Sequence, residues 1–275
     1  MVLKKQVRVV GLIRFSMLFG EHPFKKGKGM AFPDLVKMIM SEERLLTRFH
    51  LFQTVCLPSL DAQRSDEFKV LLISSRFMPR PWQERLRDLI ASRGHLEVVF
   101  ADEDSTVANE AGRFVADGLK AGPVASFRLD DDDALASDYI ESLAAYLNPA
   151  NVGSMVSFSS GYYLQIDGPD QTCKLAEVHV PKLSAGMAMI SRATAFRNVY
   201  KTGTRHNNVD LKWPVILDGR RPMFLMTSHG ENDSGRGESA RLGKLEWESP
   251  ETAANTLAAR FPTVDVARLV RGMAL

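Results

Sequence analysis

An α/β fold with a mixed, mainly parallel central sheet flanked by helices is what this sequence predicts, and three observations carry the prediction. Short runs rich in β-branched residues alternate with stretches of helical period. The helical stretches are roughly 10–15 residues long, the length of a crossover between parallel strands. Prolines and a glycine fall where these helices should begin, bend or stop, as Pro79, Pro58 and Gly94 do. Right-handed crossovers then put the C-terminal ends of the strands on one side, where ligands of open α/β sheets bind.

The first strand is expected at residues 7–13, around Val7, Val9, Val10 and Ile13. An irregular stretch follows to about residue 40. From residue 42 to about 62, Leu45, Leu46, Phe49, Phe52, Val55 and Cys56 recur at helical spacing, and Pro58 must end or bend that helix. Residues 68–73 read as the second strand. A helix at 82–92 buries Trp82, Leu86, Leu89 and Ile90 and stops at Gly94. A third strand at 96–100, a helix at 106–120, a fourth strand at 124–129 and a helix from about 137 to 147 continue the series. Beyond residue 150 the alternation weakens. Residues 155–166, 188–190 and 223–226 are strand-like, and 250–275 predicts helices. The expected division is a catalytic α/β domain over 1–245 and a C-terminal helical extension over 246–275.

Hydrophobic residues make up 45% of the chain and charged residues 25%, the balance of a globular protein with a substantial core. A formal net charge of +2 argues against a nucleic-acid partner. Cys56 and Cys173 lack metal-ligand spacing, so neither zinc nor a disulfide framework is supported. Lys4, Lys5, Arg8 and Arg14 interrupt the early apolar stretch, which breaks a signal-peptide pattern. No window approaches the ~20 apolar residues that span a bilayer. A cytoplasmic protein is expected. The basic cluster Lys25, Lys26 and Lys28 reads either as a solvated loop or as a peripheral contact at the inner membrane face. No phosphate-binding Gly-Lys-Ser/Thr loop and no Gly-x-Gly-x-x-Gly follows the first strand, which removes ATPase and dinucleotide-oxidoreductase readings.

The acidic run Asp130-Asp131-Asp132-Asp133 carries the chemistry. Four adjacent carboxylates at the end of a buried strand repel one another and resist desolvation, so positive charge is expected beside them. Mg²⁺ and Mn²⁺ prefer carboxylate oxygens and complete their shells with phosphate and water. Asp130 and Asp132, two apart, are positioned to face one ion. The rival reading is capping of the next helix by Asp133 or Ser137, which explains one carboxylate of the four. Asp102 and Asp104 have the same spacing after the third strand. There a cap by Asp104 or Ser105 is the simpler reading, and contact of Asp102 with a ligand's base or ribose is the other.

The string from Phe127 through Asp130-Asp131-Asp132-Asp133 to Leu135 resembles the Asp-x-Asp region of GT-A glycosyltransferases. Leu57-Pro58-Ser59-Leu60-Asp61-Ala62-Gln63 ahead of residues 68–73, and His229-Gly230-Glu231-Asn232-Asp233-Ser234, are similar to a bacterial group described as putative rhamnosyltransferases. The resemblance covers roughly residues 7–235. It implies a GT-A-like fold and a nucleoside-diphosphate-sugar donor, with Mn²⁺ or Mg²⁺ bridging the Asp-x-Asp carboxylates and the diphosphate. The acceptor it implies is a glycan or a lipid-linked hydroxyl.

On that reading Asp130 and Asp132 hold the ion, Asp133 supports them, Asp131 stands with the donor, and His229 resembles the third protein ligand of some GT-A enzymes. Arg113 matches the place where related enzymes put a basic residue near the donor. Arg14, at the exit of the first strand, faces the nucleotide, and Arg236 is a candidate diphosphate clamp. Inverting transfer needs a carboxylate to take the acceptor's proton. Asp210 is the first candidate, and Glu177 and Glu231 are its competitors. The rival enzyme class is a metal-dependent phosphodiester or nucleotide-sugar hydrolase, which needs a second carboxylate cluster converging on the first. An inactive nucleotide-sugar- or glycan-binding module is the non-enzymatic alternative.

Overall fold

The computed structural model describes residues 6–18, 27, 29–116, 118–167, 172–229 and 242–272. Its strands are β1 (Val9–Arg14), β2 (Phe68–Ser75), β3 (Leu96–Ala101), β4 (Pro123–Asp130), β5 (Ala134–Leu135), β6 (Met155–Phe158), β7 (Ser160–Asp167), β8 (Thr172–His179), β9 (Ala188–Arg192), β10 (Val215–Asp218) and β11 (Phe224–Ser228). The helices are α1 (Phe32–Ile39), α2 (Glu42–Leu51), α3 (Leu57–Asp61), α4 (Arg80–Ile90), α5 (Val107–Val115), α6 (Tyr139–Ala144), α7 (Pro250–Arg260) and α8 (Val266–Gly272).

Seven strands form the central sheet in the order β10-β6-β9-β4-β1-β2-β3. β1 is parallel to both β2 and β4, β2 to β3, and β6 to β10, while β9 runs antiparallel between β4 and β6. The expected mainly parallel sheet is therefore present, with one reversed strand. β1 is buried from Val9 to Ile13 because both faces are covered, as parallel sheets require. Alternation sends Val9 and Ile13 into the larger core and Val10 and Leu12 into a smaller one. The larger core takes in Phe49 and Phe52, the smaller one Ala111 and Val115 of α5 together with Met187 and Val199.

The expected helix at 42–62 is continuous but contains a π-helical turn at Phe52–Cys56, between α2 and α3. Pro58 explains the turn. Its ring cannot donate to the carbonyl of Thr54, and widening the preceding turn, with Leu57 N–H bonded to the Phe52 carbonyl, accommodates it without ending the helix.

A four-stranded second sheet, β5-β11-β7-β8, was only partly expected. The strand-like stretch at 155–166 divides into β6 and β7, which belong to different sheets. The supposedly irregular stretch before residue 40 contains α1. The C-terminal segment packs into the larger core through Leu257, Phe261 and Leu269. Arg260 anchors it by donating to the Asp138 carboxylate at 2.8 Å and to the Pro222 carbonyl at 2.7 Å. Among the described residues no helix is long and apolar enough to cross a membrane.

Candidate functional site

β4 delivers the acidic run to the carboxyl edge of the central sheet, with Asp130 in register with Arg14 of neighbouring β1. The chain then turns sharply, the Asp133 N–H donating to the Asp130 carbonyl at 3.2 Å, and enters β5, which pairs with β11 of the second sheet. The turn thus lies where the two sheets meet. Strand alternation ceases at Asp130, and each of the four carboxylates finds a partner.

Asp130 accepts from Arg14 at 3.3 Å and from Arg128 at 3.4 Å. Burial pushes its carboxyl up, but Arg128 and Arg14 outweigh burial and hold it below the usual range. Asp131 is buried and ion-paired with Arg48, whose Nε donates at 3.1 Å. Arg48 also donates to Asp132 at 3.0 Å, so one guanidinium serves two neighbouring carboxylates. Asp132 Oδ2 lies 3.0 Å from Nε2 of His229, the residue that follows β11. Burial works against the charge on Asp132, yet Arg48 and His229 together keep it well below the ordinary carboxylate range. Asp133 accepts from the Thr227 N–H at 3.0 Å, and the Thr227 hydroxyl donates to the Asp132 carbonyl at 2.8 Å.

These contacts correct two expectations. The positive charge required beside the quartet is supplied by Arg14, Arg48 and Arg128, so electrostatics alone does not demand a bound ion. The following helix begins with Asp138 at the cap position, without a side-chain bond, so neither Asp133 nor Ser137 caps it. Asp138 instead accepts from Arg221 and Arg260. After β3 the cap is Thr106, accepting from the Asn109 N–H at 3.1 Å, rather than Asp104 or Ser105.

The other candidates are dispersed. Asp102 is exposed and paired with Arg76 at 2.8 Å. β3 is three strands from β4, roughly 14 Å at the usual spacing, so Asp102 does not join the quartet. Arg113 is exposed and pairs with Glu110 at 2.8 Å on its own helix. Glu177 is exposed on β8, the edge of the second sheet, where it accepts from Ser160 at 3.4 Å. Asp210 sits on the 3₁₀ turn His206–Leu211, next to a pocket-lining residue, and pairs with Lys182 at 2.8 Å. The hydrogen bond from Lys182 lowers its carboxyl below the ordinary value, which weakens it as a base. Glu231 and Arg236 lie outside the described residues, as does the Lys25, Lys26 and Lys28 cluster.

Two site residues escaped the sequence reading. Arg48 carried a signal: it falls three residues after Leu45 and one before Phe49, a charge on the apolar stripe of its helix. Arg128 stands between Phe127 and Leu129 within a strand, two residues before its carboxylate partner Asp130, while the Tyr200 ring it covers is remote in sequence.

The donor set bears on whether a divalent ion fits. Asp132 and His229 are both buried, converge on each other, and combine an ionised carboxylate with an imidazole, a chemistry suited to Mn²⁺. Among the described residues no group of three or more His, Cys, Asp or Glu side chains is arranged to hold a metal ion. A divalent ion held by this pair would have to complete its shell with phosphate oxygens and water, the usual habit of Mg²⁺-type sites.

A mainly parallel sheet with a carboxylate-rich turn at its carboxyl edge defines an α/β domain with its acidic turn at the edge where ligands of such sheets bind. The chain belongs to the family described as putative rhamnosyl transferase, whose profile matches residues 8–241. No curated protein matches the sequence. Among solved structures it is similar to residues 1–349 of S. aureus TarS in complex with UDP-GlcNAc, at 10% identity and TM-score 0.43, over 83% of this chain and 61% of that one. It thus spans about three fifths of that TarS fragment. It is also similar to the mannosyltransferase PcManGT of Pyrobaculum calidifontis in complex with GDP-Man and Mn²⁺, at 11% identity and TM-score 0.43, over 98% and 86% of the two chains. At these values neither likeness assigns a donor, an acceptor or an ion to this chain.

Proposed function

We propose that this protein transfers a sugar from a nucleoside-diphosphate-sugar donor to a hydroxyl of a glycan or lipid-linked acceptor, at the turn formed by Asp130-Asp131-Asp132-Asp133. The observation that carries the reading is the buried Asp132–His229 pair at the junction of the two sheets, in a chain whose family is named for glycosyl transfer. Asp132 and His229 would hold a divalent cation, Mn²⁺ or Mg²⁺, with Asp130 as a further carboxylate at the same edge. When bound, such an ion neutralises the negative charge that grows on the departing diphosphate.

The chain's own residues supply the rest. Arg48 keeps Asp132 ionised and holds both Asp131 and Asp132 in direction. Thr227 holds the turn through two hydrogen bonds, so the carboxylates are positioned before any ligand arrives. Arg14 and Arg128 present guanidinium groups beside Asp130, suited to a phosphate or another anion. Of the carboxylates weighed as the base, Asp210 lies next to the pocket described below, and its Lys182 ion pair must open before it can accept a proton. The hydrolase alternative loses its second carboxylate cluster, because Asp102 is engaged with Arg76 three strands away.

The test is transfer itself. The protein is incubated with Mn²⁺, a panel of nucleotide sugars that includes dTDP-rhamnose, and glycan acceptors, and products are read by mass spectrometry. A glycosylated acceptor is expected. Release of free sugar without transfer from every donor that reacts would refute the proposal in favour of hydrolysis.

A further inference from the structure

On the side of β4 that faces the smaller core, a pocket of about 430 Å³ opens beside Arg128. Its size lies within the range of small-ligand sites. The wall is uneven in charge. Arg128, Arg205 and His206 line it together with the Tyr200 ring, Thr202 and Asn207, and no aspartate or glutamate is among the described lining residues.

Arg14 and Arg128 both lie over the Tyr200 ring, at 5.4 and 4.9 Å from its centre, and share the single carboxylate of Asp130. Among the described residues, two guanidinium groups thus share one carboxylate beside this wall. The Nε–H groups of Arg14 and Arg128 are buried and make no hydrogen bond. Arg205, which also lines the pocket, has no carboxylate partner among the described residues. The nearest acid on its segment, Asp210, is engaged by Lys182. The His206 Nδ1–H donates to the Lys182 carbonyl at 2.7 Å, which fixes the ring at the rim. Apolar surface from Met187, Val199 and Val209 completes the floor. Guanidinium donors with an incomplete set of acceptors, over an apolar floor wide enough for a sugar, match an acidic saccharide better than a neutral one.

We infer that this pocket is the acceptor subsite and that it selects a sugar bearing an anionic group, a carboxylate or a phosphate, through Arg205 and Arg128. The inference rests on the transferase reading for the word acceptor, but the anion preference stands on the pocket itself. Arg205 and the Arg128 guanidinium take the anion, while Met187 and Val199 contact the ring carbons.

Titration calorimetry of the full chain with D-glucuronate, glucose 6-phosphate and D-glucose tests it, in the parent and in Arg205→Gln. At least one acidic sugar is expected to bind about tenfold or more tightly than glucose, with Arg205→Gln removing most of that margin, as loss of a charged hydrogen bond should. Comparison of the two acidic sugars tells carboxylate from phosphate. Equal binding of acidic and neutral sugars, no binding of any of them, or an unchanged preference in Arg205→Gln overturns the inference. Thermal stabilisation by UDP, GDP or dTDP with Mn²⁺ is measured in parallel and should be the same in parent and variant. If Arg205→Gln instead abolishes nucleotide stabilisation, the basic pocket serves the donor and the inference fails. If no nucleotide stabilises the parent while glucuronate or glucose 6-phosphate binds, the donor reading fails and the anion site stands.

Discussion

His229 Nε2 lies 3.0 Å from Asp132 Oδ2 although 97 residues separate them, and both side chains are buried. A strand-end turn and the exit of a strand in a second sheet are brought together to make this contact, which places the consequences of changing Asp132 at the site rather than in the core.

A ligand that binds only the native state raises stability, by about 2.7 kcal/mol at a hundredfold excess over its Kd. The parent chain is therefore expected to melt at a higher temperature with its preferred nucleoside diphosphate and Mn²⁺ than with either alone. Asp132→Asn and His229→Gln should each remove most of that increment, since each loses one of the two convergent ligands. Differential scanning fluorimetry with UDP, GDP and dTDP reads the effect. Equal increments in parent and variants would rule out this pair as the ion's anchor.

Arg48 is the counter-charge for two carboxylates at once. Arg48→Met keeps the volume of the side chain but leaves Asp131 without this partner and Asp132 with His229 and less charge compensation. Breaking a buried pair from one side typically costs about 3–5 kcal/mol. Urea unfolding should show a midpoint lowered accordingly with little change in slope. A loss under about 1 kcal/mol would mean that water reaches these carboxylates and screens them.

How much of this was legible in the sequence depends on the range of the interactions involved. The alternating elements up to residue 150 were readable because period and local punctuation determine them, as with Gly94 after α4. β8 was not, because it is an edge strand whose exposed positions Lys174, Glu177 and His179 dilute the apolar signal. β10 is only four residues long and half-covered, too short for a pattern to emerge. At the site, the acidic run announced itself by composition, and His229 by resemblance. The run's counter-charges were legible only in part: Arg14 was read at the exit of its strand, Arg128 stands two residues before Asp130 and was passed over, and Arg48 comes from a helix that only the fold brings to the turn.

Gly11 sits in β1 with Val70 and Phe127 as its register partners on the two neighbouring strands. A methyl group there would stand 2.5 Å from the Phe127 ring and 2.8 Å from a Val70 methyl. Both neighbours are fully buried and have little room to retreat. Gly11→Ala is expected to destabilise the protein by about 1–3 kcal/mol through overpacking, despite the better strand propensity of alanine. Gly11→Ala combined with Phe127→Leu should recover part of the loss. Thermal unfolding of the single and double variants decides it. A neutral single variant would show that the Phe127 ring moves freely.

The C-terminal helices offer a test of how the core is closed. Leu257 and Phe261 of α7 and Leu269 of α8 are buried in the same cluster as Phe49 and Leu175. Arg260 ties α7 to Asp138, and His50 Nε2–H donates to the Leu269 carbonyl at 2.8 Å. Each of the three apolar side chains contributes roughly 1.5–3 kcal/mol on burial, against a total stability of about 5–15 kcal/mol for an ordinary domain. Removing residues 246–275 should therefore leave a chain that exposes the outer face of α2, binds a hydrophobic dye and loses its cooperative melt. Arg260→Met in the full chain should cost less, because the apolar contacts remain and only Asp138 loses a donor while keeping Arg221. A truncated chain that melts as sharply and as high as the parent would show that the α/β portion is complete without these helices.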